Sequence, residues 1–150
     1  MKEIERKYLV KDEILEVVKY LQSKKIKQGY ISDNDGKTVR VRTKGEKGYL
    51  TIKGKSEGIS RDEFEYEIPH EDALQLLTNF CPKFLEKERF ELIVGEKKWE
   101  IDLFHGKLEG LIVAEIELES EEETFELPAW IDREVSDDVQ YYNSKLIEKA

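Results

Sequence analysis

The chain has 150 residues, enough for one domain with a real core, and its charged and hydrophobic fractions are both 39%. A formal net charge of −9 excludes a general nucleic-acid or anionic-membrane surface, because either needs a basic field. It leaves room for a small polyanion held in a local basic pocket. No apolar run approaches the roughly 18 residues of a membrane helix, and Met1 leads into charged sequence, so a soluble cytoplasmic protein is expected.

Residues 3–10 open the chain as a strand, with Glu3, Glu5 and Lys7 alternating with Ile4, Arg6 and Tyr8. Residues 12–24 place Ile14, Leu15, Val18 and Leu21 on one face at helical spacing. Strand patterns follow over 26–32, closed by the turn Asp33-Asn34-Asp35-Gly36, and then over 38–43, 49–53 and 59–68. A second helix is predicted over 71–80, after Pro69. Cys81 at its apolar end, beside Leu76, Leu77 and Phe80, has no partner for a disulfide and reads as a small buried hydrophobe. Strands are predicted again over 84–94, 98–104 and 111–119. The acidic run 120–126 reads as a solvated loop, and 139–148 as a short final helix. Eight strands joined mostly as hairpins predict an antiparallel sheet, and the lack of repeats or linkers predicts one domain over 1–150.

The charge pattern of the first strand recurs. Arg40 and Arg42 share a face, as do Thr51 and Lys53, then Arg61, Glu63, Glu65 and Glu67, then Lys87 and Arg89, then Glu100 and Asp102, then Glu115, Glu117 and Glu119. Alternation alone fits an antiparallel sheet with one wet face. Three details point elsewhere. The charges come as like-signed pairs, acidic and basic pairs fall on different strands, and the helices have apolar faces that need a partner. An α+β fold accommodates all three: an eight-stranded antiparallel barrel with an ionic lumen and helices packed outside.

Arginine forks and lysine ammoniums suit phosphate oxygens. Carboxylates repel phosphate but hold hard divalent cations, and Mg²⁺ or Mn²⁺ bridging carboxylates and phosphates satisfies both sets. His70 and His105 stand alone as loop or turn residues, so zinc is not expected. No glycine-rich phosphate loop is present.

The string Glu3-Ile4-Glu5-Arg6-Lys7-Tyr8-Leu9-Val10 resembles the N-terminal motif of the CYTH domain, or triphosphate tunnel metalloenzyme, superfamily. The resemblance continues in order through Arg40-x-Arg42, Thr51-Ile52-Lys53, Arg61-Asp62-Glu63-Phe64-Glu65, Lys87-Glu88-Arg89, Glu100-Ile101-Asp102, Glu115-Ile116-Glu117, and Tyr141-Tyr142-Asn143 with Leu146. It implies an eight-stranded antiparallel tunnel acting on triphosphates with Mg²⁺ or Mn²⁺. Carried onto this chain, Lys7, Arg40, Arg42, Lys53, Lys87 and Arg89 would grip phosphate. Glu3, Glu5, Glu115 and Glu117 would lead as metal ligands, with Asp102 and Glu63 binding a second metal or positioning water. Glu5, Glu63, Asp102 and Arg42 form the expected catalytic set. The compact chain is most similar to small bacterial inorganic tripolyphosphatases. Two alternatives are an adenylate cyclase of the same superfamily and a non-catalytic polyphosphate- or nucleotide-binding module. The expected partner is a small triphosphate, with the protein a monomer or homodimer.

Overall fold

A computed structural model describes residues 2–150. Nine strands dominate it: β1 (Lys2–Val10), β2 (Ser23–Asn34), β3 (Lys37–Lys44), β4 (Lys47–Lys53), β5 (Ser60–Ile68), β6 (Phe84–Val94), β7 (Lys97–Phe104), β8 (Ile112–Glu117) and β9 (Ile131–Glu134). Their order is β5-β4-β3-β2-β6-β7-β8-β1-β9, and β5 also pairs with β1, so the sheet closes into a ring. Every pairing is antiparallel.

Closure depends on one edge of β1 serving two partners in succession. Residues Lys2 to Ile4 pair with β5, and Tyr8 to Val10 pair with the short β9. The ring itself therefore has the expected eight strands, β1 to β8, and β9 is one more, missed in the sequence, on the edge of β1 beyond β5. That strand is four residues long, with three charged side chains after Ile131, and offers no alternation to detect.

The helices are also smaller than the periodicity implies. The helix expected over 12–24 contracts to α1 (Ile14–Val18), because Ser23 and the following lysines join β2 and pair with β6. The final helix breaks into a 3₁₀ turn at Val139–Tyr141, the short α3 (Asn143–Leu146) and a second 3₁₀ turn. The break falls at Tyr142, whose backbone is extended with ψ 137°. His70, expected in a loop, opens α2 (His70–Phe80). No helix among the described residues is long and apolar enough to cross a membrane.

Apolar side chains on the outer face of the ring form two layers. Tyr8, Trp99, Ile101, Ala114 and Ile116 pack against Ile14 and Val18 of α1 and against Trp130. Trp99 makes edge-on contacts with Tyr8, Trp130 and Phe125, its centroid 5.4–5.8 Å from theirs. Val41 packs under Ala73, Leu77 and Cys81, so α2 covers β3 and its neighbours. The approach is close: a β-carbon at Gly48 would stand 2.7 Å from that of Ala73, and one at Gly29 2.9 Å from that of Cys81. Cys81 is thus the small buried hydrophobe the sequence predicts. Helices do not cover the whole wall, however. Ile52, Phe64 and Tyr66 remain exposed on the outside of β4 and β5.

A third apolar cluster has a different place. Leu9 and Val113 are register partners, and Leu85 and Phe104 lie on the same strand faces as Lys87 and Asp102. These four inward-facing residues pack with Leu146 and Ile147. The C-terminal segment therefore stoppers one stretch of the lumen with hydrocarbon, while the remainder stays ionic.

Candidate active site: a charged tunnel

Antiparallel register partners share a face, so pairing alone assembles the lumen. Lys7 stands opposite Glu115, Glu5 opposite Glu117, Lys53 opposite Glu63, Thr51 opposite Glu65, and Arg89 opposite Asp102. Residues from distant parts of the sequence thereby meet inside the ring.

The two sides of the lumen differ in how well their charges are matched. Asp102, 1% exposed, accepts from Lys87 Nζ at 2.7 Å on Oδ2 and from Arg89 Nε and Nη2 at 2.8 Å on Oδ1 and Oδ2. Burial by itself would raise the Asp102 carboxyl, but the charges of Arg89 and Lys87 hold it well below the usual carboxylate range. Burial lowers Lys87 to about 8 against the pull of Asp102. Arg89, also 3.3 Å from Glu100, is pushed further up despite its burial, chiefly by Asp102. Both oxygens of Asp102 are taken by cations, which makes it the least available of the six expected metal ligands.

Across the lumen the pairs are longer. Arg40 and Arg42 share one oxygen of Glu65 at 3.3 and 3.4 Å. Burial, with Arg40 and Arg89 nearby, lowers Arg42 to about 10, so it is still a cation at neutral pH but short of negative partners. Lys53 lies 3.0 Å from Glu3 and 3.3 Å from Glu63. Burial would raise Glu3, but its hydrogen bond with Glu63 and the charge of Lys53 lower it. Burial and the same bond to Glu3 lift Glu63 to about 7. Glu3 is thus the more readily ionised of the two and Glu63 the more readily protonated. Lys7 donates to the carbonyl of Tyr141 at 3.0 Å and lies 3.8 Å from Glu115. The C-terminal segment thus reaches the lumen lysine of β1.

Glu5 is the anomaly. It makes no ion pair or side-chain hydrogen bond among the described residues, although Lys7 follows it on the same face. Burial, then the charges of Glu115 and Glu3, push its carboxyl well above the ordinary range. Glu117, its register partner, is also raised, by burial and then by Glu3 and Glu100. Glu115, by contrast, is held down to about 2: burial would raise it, but Lys7 and Arg89 prevail. Two register-paired carboxylates on adjacent strands, neither held in an ion pair among the described residues, suit a divalent ion. The donor set is all oxygen and fits Mg²⁺ or Mn²⁺. Among the described residues no three acidic, histidine or cysteine groups converge into a closed cage. Mg²⁺ in general takes one or two carboxylates and completes its shell with water and phosphate.

Beside these residues lies a cavity of about 80 Å³ lined by Glu3, Glu5, Lys7, Arg40 and Lys53. Neutral polar groups absent from the charge-based expectation also line it, among them Tyr30, Thr38, Tyr142 and Asn143. Thr38 was detectable, since Thr38, Arg40, Arg42 and Lys44 continue one alternation along β3. Tyr142 and Asn143 come from the C-terminal segment, whose path no periodicity specifies.

The CYTH domain profile matches residues 1–149. An inorganic triphosphatase of Acetivibrio thermocellus is 45% identical over 98% of this chain and 94% of its own length. One from Nitrosomonas europaea is 32% identical, with 97% of each chain covered. A crystal structure described as an inorganic triphosphatase superposes with a TM-score of 0.65 at 30% identity, covering 97% of this chain and 93% of that one. With the closed antiparallel ring and its ionic lumen, these matches establish that the chain belongs to the CYTH domain family.

Proposed function

We propose that the protein is a divalent-metal-dependent inorganic triphosphatase that hydrolyses the terminal phosphoanhydride of tripolyphosphate. The observation that carries the reading is the lumen itself: Glu5 and Glu117 are register partners outside any ion pair among the described residues, while Arg40, Arg42 and Lys53 stand in the same lumen in pairs of 3.0–3.4 Å. The names of the two bacterial relatives favour tripolyphosphate over a nucleotide.

In this reading Glu5 and Glu117 would hold Mg²⁺ or Mn²⁺ together with substrate oxygens, with Glu3 and Glu115 as the flanking carboxylates. The ion would supply charge neutralisation on the phosphates and acidify a bound water. Arg40, Arg42, Lys53 and Lys7 exchange their present partners for phosphoryl oxygens. Their fixed positive charge then stabilises the charge that spreads over the transferring group. Lys87 and Arg89 stay anchored on Asp102 and present their remaining N–H groups to the same chain of phosphates.

Glu63, lifted to about 7, is the group suited to receive a proton at neutral pH. A water oxygen bonds to the terminal phosphorus, and its proton passes to Glu63. The bond from that phosphorus to the bridging oxygen breaks, and the electron pair leaves with pyrophosphate. A cytoplasmic location completes the proposal and accords with a lone, buried, unbridged cysteine.

Product analysis tests the reading. Tripolyphosphate with Mg²⁺ or Mn²⁺ should give phosphate and pyrophosphate much faster than ATP gives phosphate, and a chelator should abolish turnover. Cyclic AMP and pyrophosphate from ATP would overturn it in favour of a cyclase. Tight binding without turnover would overturn it in favour of a binding module.

A further inference from the structure

Gln28 on β2 is wholly buried, and neither its amide oxygen nor its amide nitrogen has a hydrogen-bond partner. An unpaired buried amide is costly, and a strand residue with room to face outward would not carry one. Its direction is fixed by register. Gln28 pairs with Arg42 on β3 and with Leu85 on β6, both on the inner face. Tyr30, two residues along on the same face, lines the cavity. Gln28 therefore points into the lumen one pleat deeper than Tyr30.

The unmet hydrogen-bonding capacity gathers on this wall. Thr38 Oγ1, Arg40 Nε and Arg42 Nε are buried without partners beside the two Gln28 atoms. Only Glu63 Oε2 and, outside the lumen, Trp99 Nε1 share that condition among the described residues. On the opposite wall Asp102 takes up Lys87 and Arg89. One wall satisfies itself, and the other is left with donors.

We propose that Gln28 is a substrate-binding residue: its oxygen takes the Nε–H of Arg42, fixing the guanidinium fork, and its amide N–H donates to a phosphoryl oxygen of the bound triphosphate. The inference rests on the triphosphatase reading and adds that the phosphate chain lies against the β2–β3 wall. A neutral amide suits that place, since it binds phosphate without adding another cation beside Arg40 and Arg42. It also supplies what Arg42 lacks and Arg40 finds in the Thr51 hydroxyl, an acceptor that does not compete with the substrate for charge.

The test is calorimetric binding of tripolyphosphate, and separately of ATP, with chelator present so that no turnover occurs, alongside thermal unfolding of the unliganded protein. Gln28→Leu should weaken binding about tenfold or more, the worth of a hydrogen bond to a charged group. Its unliganded midpoint should stay level or rise, because two orphaned polar atoms are removed. Gln28→Glu keeps the acceptor for Arg42 but replaces the donor with an anion, and should bind more weakly still. Gln28→Met repeats the deletion with an unbranched side chain should the leucine variant fail to fold. Wild-type affinity in the leucine or methionine variant overturns the proposal, and wild-type affinity in the glutamate variant overturns the donor role. A wild-type protein that binds ATP but not tripolyphosphate overturns the substrate reading while leaving the variants to judge Gln28 on ATP. Binding of neither in chelator overturns the proposal that the β2–β3 wall grips phosphate, and leaves the metal-dependent triphosphatase reading to the product assay.

Discussion

Glu5 on β1 and Glu117 on β8 are register partners in the closed sheet, two raised carboxylates neither of which forms an ion pair among the described residues. Like charges in such a cross-strand position destabilise a sheet. Their arrangement therefore exchanges stability of the metal-free protein for affinity toward a cation. Glu5→Gln keeps volume and removes one of the charges. In chelator it should raise the unfolding midpoint above wild type. With Mg²⁺ or Mn²⁺ it should lose roughly a hundredfold or more in turnover, several kcal/mol of transition-state stabilisation. A variant that is more stable yet fully active would remove Glu5 from the metal site.

The raised carboxyl of Glu63 sets a pH dependence whose sign can be worked out. Glu63 titrates near 7 in the folded protein against 4.5 for the free side chain, so between those values the folded state binds more protons than the unfolded one. Stability should then fall as pH rises through that window, and Glu5, also raised, acts in the same direction. Scans in chelator should show a higher midpoint near the acid end of the window than at its neutral end. Mg²⁺ should flatten the slope, because a bound cation favours the ionised carboxylates. A midpoint that climbs steadily toward neutral pH in chelator would contradict the assignment.

Asp102 predicts the opposite sign. Its folded carboxyl lies below the ordinary range, so its stabilisation is complete above the unfolded value and is lost as pH falls through the folded one. Asp102→Ala leaves Lys87 and Arg89 buried without their acceptor. The loss should be large, about 3–5 kcal/mol for a broken buried pair, read from urea unfolding. Phosphate should recover part of it by giving the two cations a new partner. Asp102→Ala with wild-type stability would show that Lys87 finds water or another carboxylate instead.

The charged half of this lumen was legible in the sequence because strand period and like-signed spacing are both local. Arg40-x-Arg42 and Glu115-x-Glu117 announce an inward face whatever the rest of the chain does. Closure placed them together, and closure needs only that the apolar faces find cover. What was not legible depended on long-range pairing. The ninth strand exists because β1 has an edge left vacant beyond β5, and α1 is short because β6 claims Ser23 and its neighbours as strand. Gln28 carries no charge, and its importance appears only when Arg42 and Leu85 fix its direction. Asp102 looked like a metal ligand by type, and only its three short bonds to Lys87 and Arg89 assign it to them.

The C-terminal segment offers a last prediction, because it joins packing to the site. Leu146 and Ile147 fill the inner faces of Leu9, Leu85, Phe104 and Val113, while the Tyr141 carbonyl accepts from Lys7. Leu146→Ala removes a buried side chain from a cluster that closes the lumen, at a cost of about 2–5 kcal/mol. The damage should not be confined to stability. With its seat loosened, the segment holds Tyr141 less firmly, and Lys7 loses the acceptor that keeps its ammonium in the lumen. In the proposed reading Lys7 meets phosphate both in the bound substrate and in the transition state, so KM should rise severalfold with a smaller change in kcat. Leu77→Ala on α2, whose side chain packs against Val41 outside the ring, supplies the control. It should lower stability without shifting KM. Equal shifts in the two variants would show that the segment is only packing. A KM change confined to Leu146→Ala would tie the closure of the tunnel to the grip of its first lysine.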